Sequence, residues 1–309
     1  MYDLEVLKRS ETDRRAFLTR MSAAGLGAAA VALLAGCGGD SGNNNGGTTS
    51  PPSLGDTKDA FKFKPPGSST DVPVPGASQN VIVLNYALTL EYLEADLYRQ
   101  ALNIAAGVAN PATAPLHTFD PTPGSLQGYS LAIGAGAISD TNLQAAGFAY
   151  LVQFAYVEAA HRDFLLTVLG PAASPLQGPT KTYHFPTGTD SSSLFGILSA
   201  ILPLEETGVR AYLGAGKYLQ DNPTVQTAVS IYSTECRHSA SIEYILNPDG
   251  STIGPRRGIS GVPSGEFDVA SAPGTPTNLP AGTTYDPVAL FEKALTPESV
   301  LSGVFPLLA

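Results

Sequence analysis

SIYSTECRHSASIEYIL, residues 230–246, places Glu235 and His238 three positions apart in a run with helical periodicity. YLVQFAYVEAAHRDFLLTVLG, residues 150–170, carries the same signature as Glu158 and His161. Positions i and i+3 share one face of an α-helix, so each pair aims a carboxylate and an imidazole at one point. The other residues on those faces are apolar: Leu151, Phe154 and Leu165 in the earlier stretch, and Ala228, Ile231, Ile242 and Ile245 in the later one. A carboxylate is rarely buried unless it is paired or bound to a cation. Each Glu and His interrupting these stripes therefore needs a partner, either one another or a metal ion, unless the stripe is one position off and they face solvent.

Two further periodic stretches complete the pattern. One aligns Leu84, Leu88, Glu91, Ala95 and Tyr98, and the other aligns Leu198, Ile201, Glu205 and Tyr212. In both, a tyrosine follows the glutamate by seven residues, so the two halves of the chain repeat one plan. Glu94 shares a face with Glu91, and Glu206 adjoins Glu205; the periodicity and the repeat favour Glu91 and Glu205, although a one-position error would exchange the latter pair. Four inward glutamates and two histidines form the ligand set of a dinuclear carboxylate-bridged site within a four-helix bundle. The predicted fold is all-α, a four-helix bundle over 79–246 with long loop insertions and an irregular C-terminal extension over 247–309. Its helices are expected at about 79–103, 141–169 and 194–219, with a fourth from the first-turn residue Pro223 to about 246.

The connections are long for a bundle. Residues 104–140, rich in proline, are expected to cover one end, and residues 170–192 are long enough to cross over the bundle's full length. His117 lies in the first connection and is read as outside the site, and His184 lies in the second, between Tyr183 and Phe185. In the extension, short helices are expected at 287–295 and 297–304, with the apolar end from Phe305 lying against the bundle or a partner subunit in a homo-oligomer.

The chain has 309 residues, enough for a large core, and a net charge of -10 that argues against nucleic acid as a partner. Arg14 and Arg15 precede a weak apolar run from Ala23 to Ala35 and resemble a twin-arginine export signal. Leu34-Ala35-Gly36-Cys37 resembles a lipoprotein cleavage site. Residues 1–36 are then a signal peptide, and acylated Cys37 joins the protein to a lipid bilayer surface on the periplasmic or outer face of a bacterial membrane. Residues 37–78, dominated by Gly, Ser, Asn, Thr and Pro, read as a flexible tether. Cys236 is the other of two cysteines. It points about 100° away from the Glu235 face and reads as a small core residue, with no cysteine left for an internal disulfide.

Glu91 and Tyr98, Glu158 and His161, Glu205 and Tyr212, and Glu235 and His238, in this order, resemble the ferritin and rubrerythrin superfamily. The stretch LNYALTLEYLEADLYRQAL at residues 84–102 is similar to exported bacterial ferritin-like domain proteins of the desiccation-related type. The resemblance covers 79–246. It implies two Fe or two Mn ions, with Glu91 and Glu205 as terminal or bridging carboxylates and each Glu-x-x-His pair serving one metal. Tyr98 and Tyr212 are candidates to bond to ligands or supply an electron, with ordinary core packing as the other reading. Long insertions and the tether depart from cage-forming storage proteins. Two cysteines cannot form the four-cysteine iron module of rubrerythrins, so a catalytic centre would need an external electron donor. Four glutamates and two neutral imidazoles balance two divalent ions. The expected function is an exported, membrane-anchored di-metal protein that oxidises Fe(II) or removes peroxide. The alternative is a non-catalytic structural or binding protein related to stress or desiccation, with or without metal.

Overall fold

The computed structural model describes residues 51–65, 67–115, 132–176, 183–248 and 294–307. In chain order these form α1 (Leu54–Ala60), β1 (Lys62–Phe63), β2 (Val72–Pro73), α2 (Gln79–Ala105), α3 (Thr141–Leu169), α4 (Leu194–Ala215), α5 (Asn222–Leu246) and α6 (Pro297–Val304). Each long helix starts behind a side chain that accepts a first-turn N–H. Ser78 accepts from Val81, Asp140 from Asn142 and Leu143, Ser193 from Gly196, and Asp221 from Thr224. Pro223 sits in the first turn of α5, where its missing N–H is harmless. Pro203 lies inside α4, two residues before Glu205, and removes one rung of the helical ladder.

The helix directions follow from paired contacts. Glu91 meets His161 while Tyr98 meets Phe154, so α2 and α3 run antiparallel. Tyr98 donates to Glu205 and Tyr212 to Glu91, which makes α2 and α4 antiparallel as well. Glu205 faces His238 and Gly208 faces Glu235, giving the same relation between α4 and α5. Consequently α3 and α4 run parallel, and the segment joining them must travel the length of the bundle. That is the crossover its length allows.

The core divides into two apolar ends. Leu84, Leu88, Leu165, Leu204, Ala215 and Ile231 belong to one, and Leu102, Leu151, Leu198, Ile201, Ile242 and Ile245 to the other. The acidic residues occupy the layer between them.

The tether expected to reach Ser78 is overturned from residue 53 onward. Ser53 and Asp56 form a reciprocal capping box that starts α1. Phe61 is fully buried, edge-on to Tyr86 and Tyr218 with ring centres 5.1 Å away in each case. Phe63 and Val74 are also buried, and β1 pairs antiparallel with β2 through Phe63 and Val72. This segment caps one end of the bundle because alternating Phe61 and Phe63 supply an apolar edge that a solvated linker would lack.

The C-terminal segment covers the same end. Phe305 lies 5.2 Å from Phe63, and the Leu307 carbonyl accepts from the His184 N–H. The tail therefore packs on its own chain. The predicted helix at 287–295 falls mostly outside the described residues; Ala294 and Leu295 are non-helical. Leu295 is seated on α4, where a Cβ at Gly214 would come within 1.9 Å of the Leu295 carbonyl oxygen. Glycine is what permits this approach. Residues 1–50, including Arg14, Arg15 and Cys37, lie outside the described residues, as does His117. Among the described residues, no helix is long and apolar enough to cross a membrane.

Candidate metal centre

Each of the four long helices turns at least one acid into the layer between the apolar ends. Glu91, Glu158, Glu205 and Glu235 are fully buried, and His238 is 3% exposed. His161 remains slightly open, its side chain 14% exposed. These six residues form two groups of four. One comprises Glu91, Glu158, His161 and Glu235; the other comprises Glu158, Glu205, Glu235 and His238. Within each group the potential ligand atoms all lie within 4.8 Å of one another. Glu158 and Glu235 belong to both groups, so they are placed to bridge, whereas Glu91 and Glu205 each serve one.

Both imidazoles present Nδ1. His161 Nδ1 lies 3.0 Å from Glu158 Oε2, 3.3 Å from Glu235 Oε1 and 3.4 Å from Glu91 Oε2. His238 Nδ1 lies 2.7 Å from Glu158 Oε1 and 3.4 Å from Glu205 Oε2. Phe154 stacks on the His238 ring at 3.8 Å and limits its rotation.

His161 Nδ1 and Glu158 Oε2 meet in hydrogen-bond geometry, but the other short contacts do not. Among the described residues, Glu91 Oε2, Glu158 Oε1, Glu205 Oε2, both oxygens of Glu235 and His238 Nδ1 are buried without a partner of acceptable geometry. These atoms crowd together without pairing. Leaving several carboxylate oxygens buried and unpaired is expensive. A pair of cations would remove that cost, and carboxylate with imidazole suits Fe or Mn. The residues therefore fit the metal pair that the sequence implies.

Without metal the layer holds protons instead. Burial raises the Glu91 carboxyl to about 7, against the pull of His161. Burial also raises Glu235 well above the carboxylate range, reinforced by the charge of Glu158. Burial works against charge on His238 and on Glu158, but their mutual contact and their other partners prevail. His238 is raised to about 9, through Glu158 and Glu205, and Glu158 is lowered to about 2, through His161 and His238. His161 is raised likewise, its contacts with Glu158, Glu235 and Glu91 outweighing burial. Metal capture must displace these protons.

The tyrosines follow the sequence pattern with exchanged partners. Tyr212 O–H donates to Glu91 Oε1 at 2.5 Å, and Tyr98 O–H donates to Glu205 Oε1. Each tyrosine thus serves the glutamate of the other half. Seven residues of helix separate Tyr98 from Glu91 by roughly 10 Å, too far for contact, whereas the antiparallel neighbour brings the opposite glutamate alongside.

Three other residues stood outside the ligand set chosen from the sequence. Glu94 is only 4% exposed and lies beside Gly208, on a helix buried nearly all round. Burial, then the charge of Glu235, raises its carboxyl well above the ordinary range. Glu206 turns away from the ligand groups, accepting from Ser239 and pairing with buried Arg210 at 3.4 Å. The Glu206-to-Arg210 spacing of four, on an otherwise apolar helix, was the available signal. Cys236 is half-buried and belongs to neither donor group.

No curated protein matches the chain. A family model described as a ferritin-like domain matches residues 79–248, a span that begins at the first residue of α2 and closes just past α5. With four long helices, two Glu-x-x-His pairs and two shared glutamates inside that span, the chain belongs to the ferritin-like domain family.

Proposed function

We propose that this protein holds two Fe or two Mn ions in the layer formed by Glu91, Glu158, His161, Glu205, Glu235 and His238, and uses them to oxidise Fe(II) or remove peroxide. The observation that carries the reading is the set of buried, unpaired carboxylate oxygens and the His238 Nδ1 converging in two groups that share Glu158 and Glu235. Such a pair, when bound, supplies one electron from each ion to reduce hydrogen peroxide, with two protons, to water.

The side chains have separable tasks. Glu158 and Glu235, common to both groups, would hold both ions, and the imidazoles of His161 and His238 would hold one each. Tyr212 and Tyr98 occupy Oε1 of Glu91 and Glu205, which leaves each Oε2 for the centre. Phe154 stacks on the His238 ring and limits its rotation, and apolar side chains close the layer at both ends. Two cysteines cannot build a four-cysteine iron module, so the electrons come from an external donor.

The proposed setting is outside the cytoplasm, with the protein tied to a membrane surface through acylated Cys37 after export directed by Arg14 and Arg15. This part rests on the sequence motifs. Cys37→Ser should release exported protein from the membrane fraction, and retention after salt washing would exclude lipidation as the anchor.

The central test is metal content and turnover. Full-length protein offered Fe(II) or Mn(II) without oxygen should bind about two ions per chain, and His161→Ala with His238→Ala should abolish binding. The Fe-loaded or Mn-loaded form should consume hydrogen peroxide repeatedly when a reductant is supplied. Turnover no faster than free metal in both forms would reject catalysis and leave the pair a structural role.

A further inference from the structure

The six ligand residues are not equally enclosed. Glu91, Glu158, Glu205 and Glu235 are fully buried and His238 nearly so, whereas the His161 side chain is 14% exposed. Solvent therefore meets the centre at His161. His161 Nδ1 lies 3.3 Å from Glu235 Oε1, and His238 Nδ1 lies 2.7 Å from Glu158 Oε1, so both imidazoles lie along the seam where α3 packs on α5. The other flank of α3 faces α2, where Arg162 lies over the Tyr92 ring.

Helical spacing gives the residues that border this seam. Four residues before His161 stands Val157, half-buried, and three after it stands Phe164, 46% exposed. Four before and three after His238 stand Thr234 and Ser241, both half-buried. None of these four carries a charge. The charge tied to them is positive: exposed Arg237 donates from Nη2 to Thr234 Oγ1 at 3.0 Å. Asp163, an exposed acid two residues from His161, pairs instead with Arg162 at 2.8 Å. A divalent cation approaching along the seam gives up tightly held water against apolar side chains and passes a guanidinium, and both steps are unfavourable. Hydrogen peroxide carries no charge for Arg237 to repel, and hydroxyls such as those of Thr234 and Ser241 both donate and accept hydrogen bonds.

We propose, resting on the metal-binding reading above, that the seam between α3 and α5 beside His161 is the entrance to the centre, and that it admits hydrogen peroxide while holding back free Fe(II), with Arg237 setting the selection. Of the two reactions open to the centre, peroxide removal is then the one it performs, and the two ions are resident rather than replaced as Fe(II) substrate. Each peroxide accepts two electrons and two protons and leaves as two waters, and the external reductant returns the two electrons.

The rate of cation entry, read apart from turnover, tests the selection. Metal-stripped full-length protein is mixed with Mn(II) in a stopped-flow instrument, and uptake is followed with a metal-sensitive dye. Arg237→Glu should take up Mn(II) about tenfold faster than wild type at low ionic strength, with the advantage shrinking as salt is added. Its calorimetric affinity for Mn(II) should equal that of wild type, because Arg237 belongs to neither donor group. In the Mn-loaded proteins with reductant, hydrogen peroxide should be consumed at the same rate by both, since a neutral solute does not sense the reversed charge. Loaded wild type given excess Fe(II) in air should oxidise it no faster than buffer does. Equal Mn(II) uptake by wild type and Arg237→Glu, with two ions still bound by each, would overturn the entrance while leaving the metal-binding reading intact. Repeated oxidation of excess Fe(II) by loaded wild type would overturn the selection for peroxide. Absence of any Mn(II) or Fe(II) binding by wild type would overturn both readings. Should Arg237→Glu lose its helical circular dichroism, Arg237→Ala decides, and an uptake rate equal to wild type there refutes the proposal.

Discussion

Phe61→Ala isolates the contribution of the segment that precedes the bundle. Phe61 is fully buried, and its ring is held edge-on between Tyr86 of α2 and Tyr218 beyond α4. Truncating a buried phenylalanine costs about 3–5 kcal/mol when the surroundings cannot collapse. Collapse is restricted here because Tyr86 and Tyr218 belong to different helical arms, and the backbone of residue 61 is itself fixed by its carbonyl accepting from Val74 N–H at 2.8 Å. For a domain of this size, each kcal/mol lowers the melting temperature by about 2–4 °C, so the expected fall is roughly 6–20 °C. Phe61→Leu keeps most of the volume and should lose only about 1.5 kcal/mol. Urea and thermal unfolding of metal-stripped protein, followed by circular dichroism, measure the effect apart from metal binding. A Phe61→Ala midpoint equal to wild type would mean that this segment contributes nothing to the fold, as a tether would.

Tyr212→Phe removes the donor to Glu91 Oε1, and should destabilise the metal-free protein by about 1–3 kcal/mol, as expected when a buried acceptor loses its partner; an unchanged denaturation midpoint would refute that hydrogen bond's contribution. Without metal, stability should fall as pH rises from about 5 to 9. His161 and His238 are raised, and so are Glu91 and Glu235, so the stability these groups contribute is complete below their unfolded values and lost as each folded value is passed, at about 7 for Glu91 and about 9 for His238. Glu158, lowered to about 2, acts with the opposite sign and only in acid, below that window. Mn(II) should reverse the trend, because its ligands must be deprotonated; melting temperatures across this range, with chelator or with Mn(II), give the check, and a metal-free protein that gains stability toward pH 9 would contradict it.

Helical periodicity located the buried layer of acids and histidines well, because a residue's face is a local property. The range 141–169 coincides with α3, and Glu158, His161, Glu235 and His238 converge as their spacing implies. What one helix meets on another is not local. Tyr98 and Tyr212 carried the right spacing, but only antiparallel packing decides that each reaches the opposite glutamate. Periodicity favoured Glu91 over Glu94, and Glu91 is the one that joins a donor group, although nearly every face of α2 is buried. Composition misled over residues 51–78. Pro, Ser and Gly there obscured a short capping box at Ser53 and Asp56 and the alternation of Phe61 and Phe63, both readable by rule but brief.

The sharing of Glu158 and Glu235 has a consequence for timing. The first helical arm supplies Glu91, Glu158 and His161, and the second supplies Glu205, Glu235 and His238. Each donor group borrows one glutamate from the other arm, so neither arm contains a complete group. A chain still emerging from the ribosome holds only scattered acids until α5 has been made and has docked. Ions met during synthesis would find only weak, open sites, and any choice among them would wait for the finished bundle, where geometry is set by all four helices at once.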